Sequence, residues 1–277
     1  MRIMRRVQPR RILVALPKSE PLANDIVSHF SRSGWKVDIF SSIEGCQKAL
    51  KEGGARLCII DHSLPGAQRF MRSIKSKKGT SLIPVILLFA QETQVQRADE
   101  LRICGEQHIA YPAEPCTLIV LAEREITRSA GESAFTQQVY IQLPTTEDNL
   151  DRASVFMSEL LKESGLTEEK QVAISAALRE AVINAAQHGN RYNKDKQIKI
   201  QYLLDRQKVT LVVCDEGDGF NPQIYFQRSE ISDAVTVARE RYEEGGLGGL
   251  GIMLMVRCSD RVEYNQKGNL ITLTKFL

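Results

Sequence analysis

The stretch "LREAVINAAQHGN", residues 178–190, sets Glu180, Asn184 and His188 at four-residue intervals in an alanine-rich run of helical periodicity. At about 100° per residue, each step of four drifts by only about 40°, so the three polar side chains are expected nearly one above another on a single helix face. Ala177, Ala181, Val182 and Ala185 fall at neighbouring positions suited to facing a sheet. Most such patterns are the solvated edge of an amphipathic helix. What this one does is decided by the sequence around it.

Downstream, the strand pattern "VTLVVC" runs into "DEGDGF", which puts Asp215 at a strand end with Gly217 and Gly219 after it. Glycines there let the backbone turn tightly and come close to a ligand. Further on, "GGLGGLGIMLMVRCSD" sets Gly245, Gly246, Gly248, Gly249 and Gly251 ahead of an apolar helix. A glycine-rich loop feeding a helix start gathers free N–H groups under a favourable dipole, an arrangement that holds phosphates. Taken singly each signal is weak, since a DxGxG turn is also a hairpin and a glycine cluster is also a flexible loop.

In this order and spacing the three elements resemble the nucleotide-binding boxes of the gyrase, Hsp90, histidine-kinase and MutL ATPase superfamily. "EAVINAAQHGN" resembles its asparagine box, "DEGDGF" its first glycine box and "GGLGGLGI" its second. Within the superfamily the likeness is to the bacterial anti-sigma factor serine/threonine kinases, and it runs from about residue 137 to the end. It implies an α+β Bergerat (GHKL) sandwich that binds ATP and Mg2+. Asn184 would coordinate the metal through its amide oxygen, and Glu180 would act as the catalytic base on the acceptor hydroxyl. Asp215 would accept from the adenine amino group, with Gly217 and Gly219 shaping the base pocket. Gly246, Gly248, Gly249 and Gly251 would admit the triphosphate, and residues 221–244 would occupy the place of the ATP lid. His188 and Asn190 stand at the edge of this set, with a structural role as the ordinary reading of a helix-terminal histidine.

The resemblance also implies a partner-switching role: binding a sigma factor or a STAS-domain anti-anti-sigma factor and phosphorylating the latter. The alternative from another class is a non-catalytic ATP-gated module that sequesters its partner. Histidine autophosphorylation does not fit, because His29, His62, His108 and His188 are the only histidines and none lies in the linker or on the helix expected at 147–164.

The first half reads differently. Apolar runs "RILVAL", "KVDIFS", "RLCIID", "IPVILLFA" and "EQHIAYP" alternate with helical segments, among them one expected near 93–104, which predicts an α/β flavodoxin-like fold with a five-stranded parallel sheet. "RLCIIDHSLPG" resembles the phosphoacceptor strand of a response-regulator receiver, with Asp61 as its degenerate phosphoacceptor candidate. The partners of that aspartate are missing: Leu16 and Pro17 stand where receivers carry an acidic pair, Phe89 replaces the Ser/Thr and Tyr111 the lysine, with Glu20 the nearest other carboxylate. The expectation is a regulatory pseudo-receiver over residues 1–129, a linker over 130–136 and the ATP-binding domain over 137–277.

Composition fits two soluble domains: 277 residues, 43% hydrophobic and 26% charged. A net charge of +3 gives no push toward nucleic acid, and the "ILVAL" run after the Arg-rich start is too short to span a membrane. Six cysteines without a CxxC pair are expected to be buried, reduced thiols of a cytoplasmic protein. A homodimer is compatible with all of this.

Overall fold

In the computed structural model, the described residues are 10–17, 22–130, 134–221 and 249–277. By its contacts the chain divides into two compact units, Met1–Gln96 with Ile103–Ala134 and Arg97–Arg102 with Phe135–Leu277.

The first unit carries β1 (Arg11–Ala15), α1 (Leu22–Arg32), β2 (Lys36–Phe40), α2 (Ile43–Glu52), β3 (Ala55–Asp61), α3 (Ala67–Lys75), the short turn α4 (Lys78–Ser81), β4 (Val85–Phe89) and α5 (Glu92–Gln96). The two-residue β5 (Arg102–Ile103) intervenes before β6 (Gln107–Ala110) and α6 (Pro115–Ala130). The sheet is parallel in the order β2-β1-β3-β4-β6. That is the doubly wound flavodoxin-like order, in which each sheet face is covered by helices. Hence β1 and β4, "RILVA" and "VILLF", are buried at every position. Helix α2 is capped by Ser42, whose hydroxyl accepts from Gly45 N, and ends at Gly53 with φ of 84°.

The second unit carries β7 (Gln137–Pro144), α7 (Glu147–Lys162), α8 (Glu168–Asn184), β8 (Gln197–Leu204), β9 (Lys208–Cys214), α9 (Gly249–Cys258), β10 (Arg261–Tyr264) and β11 (Leu270–Phe276). Its strands run in the order β10-β11-β9-β8-β7, with β5 at the β7 edge, and those from β10 to β7 pair antiparallel. Along β9 every second residue is buried, so one face meets the helices. Tyr202 on β8 is buried beneath α7, its hydroxyl donating to Leu160 O at 3.4 Å. Thr167 caps α8 by accepting from Lys170 N.

Two expectations are corrected. The helix expected near 93–104 ends at Gln96, and residues 97–101 form no regular element, bending at Asp99 and Glu100 before β5. Their amides are taken by side chains of the second unit, Ala98 N by Gln197 Oε1 and Leu101 N by Asn149 Oδ1, which replace helical partners. The cysteines are not uniformly buried: Cys46 and Cys58 are, whereas Cys116 in the first turn of α6 is exposed. No described helix is long and apolar enough to cross a membrane.

Candidate functional site

Helix α8 holds Glu180 and Asn184 one turn apart, and then changes pitch. Residues Ala185–Gly189 form a π turn, with Asn190 N donating to Ala185 O at 2.8 Å. The step from Asn184 to His188 therefore runs through this π turn, whereas the step from Glu180 to Asn184 is regular α-helix. A π turn inserts a residue into the ladder and re-aims the side chains beyond it, a device common at functional sites. Two consecutive left-handed residues, Arg191 (φ 54°) and Tyr192 (φ 51°), then carry the chain away. Asn190 is 1% exposed and acts as a hub: its Nδ2 donates to Thr145 Oγ1 and Gln197 O, and its Oδ1 accepts from Glu216 N.

Beyond β9, Asp215 begins a turn that needs its glycines. Gly217 N donates to Asp215 Oδ1 at 2.7 Å. A Cβ at Gly217 would run into the Gly189 carbonyl, and one at Gly189 would run into the Asp215 carboxylate. The "HG" of the helix end and the "DEG" of the turn thus interlock backbone to backbone, which side chains larger than hydrogen would prevent. Gly219, with φ of 80°, lies against the Lys267 carbonyl, which also accepts from Phe220 N at 3.0 Å. The hairpin "NQKGN" at 265–269 closes this side. Asn265 Oδ1 accepts from the amides of Gly268, Asn269 and Leu270, and Asn269 Nδ2 donates to Asp215 O at 3.0 Å. Burial pushes the Asp215 carboxyl above its ordinary range, against the Gly217 amide and the Lys267 and Lys196 ammonium groups, which pull it down. Among the described residues its Oδ2 accepts no hydrogen bond.

These elements enclose a cavity of about 380 Å³. Asn184 and His188 line it from the helix, Asp215, Gly219 and Phe220 from the turn, Tyr264 and Asn269 from the hairpin, and Ile252 from α9. Phe220 and Tyr264 meet edge to face at 5.2 Å at this wall. Glu180 does not line the cavity. Its carboxylate lies against Gly251 in the first turn of α9, where a Cβ would collide with Oε1. Gly249 opens α9, and Gly246 and Gly248, like the lid expected over 221–244 beyond its first residue, fall outside the described residues. Sequence reasoning did not single out Phe220, Tyr264 or the 265–269 hairpin as lining residues. Their local signal was the "N-x-K-G-N" turn, whose Gly268 has φ of 77°.

In the first unit Asp61 ends β3, as expected, and is 4% exposed. Its Oδ1 accepts from both Ser63 N (2.8 Å) and Ser63 Oγ (2.6 Å), closing an Asx turn on the chain itself. Phe89, in place of a hydroxyl residue, lies between the rings of His62 (4.6 Å) and His108 (5.3 Å). Leu16 is buried, and Glu20 lies outside the described residues. Among the described residues no cluster of three or more His, Cys, Asp or Glu is placed to hold a metal ion.

Residues 143–275 match the family model of the histidine kinase-like ATPase domain, and the C-terminal half of the chain is a domain of that class. It is homologous to the serine-protein kinase RsbW. The Listeria monocytogenes protein is 25% identical over 141 residues, covering 50% of this chain and 87% of its own. RsbW of Bacillus subtilis is 24% identical over 140 residues, 50% of this chain and 85% of its own. For the N-terminal half, a receiver domain of a Syntrophus aciditrophicus histidine kinase is 21% identical, covers 45% of this chain and 95% of its own, and gives a TM-score of 0.38. A Francisella receiver domain gives 16% identity, coverage of 43% and 98%, and a TM-score of 0.36. The flavodoxin-like fold of this half rests on its strand order.

Proposed function

We propose that the C-terminal half is an ATP-dependent protein serine/threonine kinase of the anti-sigma-factor type, and that the N-terminal half is a regulatory pseudo-receiver. The observation that carries the reading is the convergence of Asn184 and Asp215 on one cavity, with Glu180 one turn from Asn184 and packed on the glycine start of α9. The donor set fits the nucleotide: a carboxylate with an open lone pair, an amide oxygen, an aromatic wall, and a glycine cradle that a Cβ would fill.

Bound ATP with Mg2+ supplies the transferable phosphoryl group and the cation that neutralises its charge. The chain does the rest. Asp215, through Oδ2, accepts from an exocyclic amine and so discriminates adenine from guanine, whose corresponding group is an acceptor. Asn184 offers Mg2+ its Oδ1, a hard oxygen suited to that ion. Glu180 takes the proton of the acceptor hydroxyl, a carboxylate's role in phosphoryl transfer. The hydroxyl belongs to a serine or threonine of a STAS-domain partner, and a sigma factor is the other ligand.

One observation favours the second reading, a nucleotide-gated module without transfer: Glu180 stands outside the cavity wall. The test is incubation of the full chain with γ-labelled Mg-ATP and STAS-domain proteins, beside Glu180→Gln. Label on a partner serine or threonine, abolished in the variant while nucleotide binding persists, supports the kinase. No label from any partner, with tight nucleotide binding intact, supports the module.

A further inference from the structure

The six residues Arg97–Arg102 belong by contacts to the second unit, although the chain on both sides of them, through Gln96 and from Ile103, belongs to the first. Their seat is specific. The Gln197 side-chain amide meets the Ala98 peptide at both ends, Oε1 accepting from Ala98 N at 3.0 Å and Nε2 donating to Ala98 O at 3.2 Å. Leu101 N donates to Asn149 Oδ1 at 2.7 Å, and the buried Arg102 donates from Nη2 to Gln142 Oε1 at 2.9 Å. Ala98, Gln197 and Asn149 are 5%, 2% and 6% exposed, so water cannot replace these partners without opening the structure.

Gln197 is also one link from the cavity. Its N donates to Glu216 Oε2, and its O accepts from Asn190 Nδ2. Asn190 Oδ1 accepts from Glu216 N, the residue beside Asp215. This closed set of bonds ties the seat of residues 97–102 to the π-turn end of α8 and to the start of the Asp215 turn. A buried amide deprived of its partner is costly, so unseating the segment must be felt at Gln197 and be passed to the groups that share it.

We propose that residues 97–102 are a built-in strap whose seating raises the nucleotide affinity of the ATPase unit, with Gln197 and Asn190 as positioning residues. The proposal rests on the reading of the cavity as a nucleotide site. Because the strap is continuous at both ends with the first unit, any ligand or modification that pulls on those ends loosens the nucleotide site. Coupling of this kind is reciprocal, so nucleotide must in turn tighten the strap.

Hydrogen–deuterium exchange on the full chain with and without Mg-ADP tests this. The expected result is protection over 181–190 and 213–220 together with slowing over 97–102 by about fivefold or more. Protection of the cavity segments with no change over 97–102 overturns the strap and leaves the nucleotide reading standing. No protection anywhere overturns both. A variant at a residue that does not line the cavity, Asn149→Ala, removes the acceptor of Leu101 N. It is expected to speed exchange over 97–102 and to weaken Mg-ADP binding by about fivefold or more. Faster exchange with unchanged binding again overturns the proposal, and the wild-type exchange decides the matter however the variant folds.

Discussion

Asp61 and Asp215 occupy similar positions and have opposite fates. Each stands at the carboxyl end of a sheet strand, Asp61 closing β3 and Asp215 following β9. The Asp61 carboxylate is turned inward: a single serine two residues on supplies both an amide and a hydroxyl to its Oδ1, and Phe89 fills the neighbouring space between two imidazoles. Asp215 is held by one amide, Gly217 N, and lines a cavity. A strand-end carboxylate keeps a free side when its neighbours are glycines, which offer an amide and no side-chain donor. It becomes a turn cap when a hydroxyl residue sits two positions away.

That contrast is most exposed at the chemistry proposed for the Asp215 cavity. Glu180→Gln is expected to lower phosphoryl transfer by about 10²–10⁴-fold, the usual scale for loss of a general base, while Asp61→Asn leaves transfer within about twofold. A radiometric transfer assay on both variants reads this, and an Asp61 effect as large as the Glu180 effect would restore a working receiver. Next in size, Asp215→Ala is expected to weaken ATP binding by about 10–150-fold, the scale of a lost hydrogen bond to a charged group, whereas Asp61→Ala changes stability and not affinity. Equal losses of affinity from the two variants would erase the distinction between them.

Smaller effects refine it. Gly217→Ala drives a methyl into the Gly189 carbonyl and the Asp215 carboxylate. A loss of about 1–3 kcal/mol in chemical denaturation is expected, with weaker nucleotide binding beside it. The smallest effect is in pH. Because burial raises the Asp215 carboxyl in the folded state, folding takes up its proton, and the associated stability is present below the ordinary carboxylate range and lost as pH rises through the raised value. Melting temperature should therefore fall in wild type relative to Asp215→Asn as pH rises from the ordinary carboxylate range through the raised value, and parallel curves would contradict the burial argument.

Much of this was legible in the residues. Continuous apolar strands announced the parallel sheet, and residues of the asparagine box and of the "DEGDGF" turn line one cavity. What was not legible is physical too. The π turn depends on Asn190 reaching Thr145, Gln197 and Glu216, partners scattered in sequence and joined only by folding. The end of the helix at Gln96 depends on Gln197 and Asn149 capturing amides about a hundred and about fifty residues away. Local propensity carries no trace of such long-range captures, and so neither the strap nor the Phe220–Tyr264 wall stood out beforehand.

The functional assignment turns on Asp215 selecting adenine in this cavity. Calorimetric titration of the full chain with Mg-ATP and Mg-GTP, in wild type and Asp215→Ala, is the deciding measurement. One-to-one uptake of ATP by wild type, at least about tenfold weaker uptake of GTP, and loss of that preference in the variant are expected. Absence of ATP uptake by wild type, or an unchanged preference in Asp215→Ala, would contradict it.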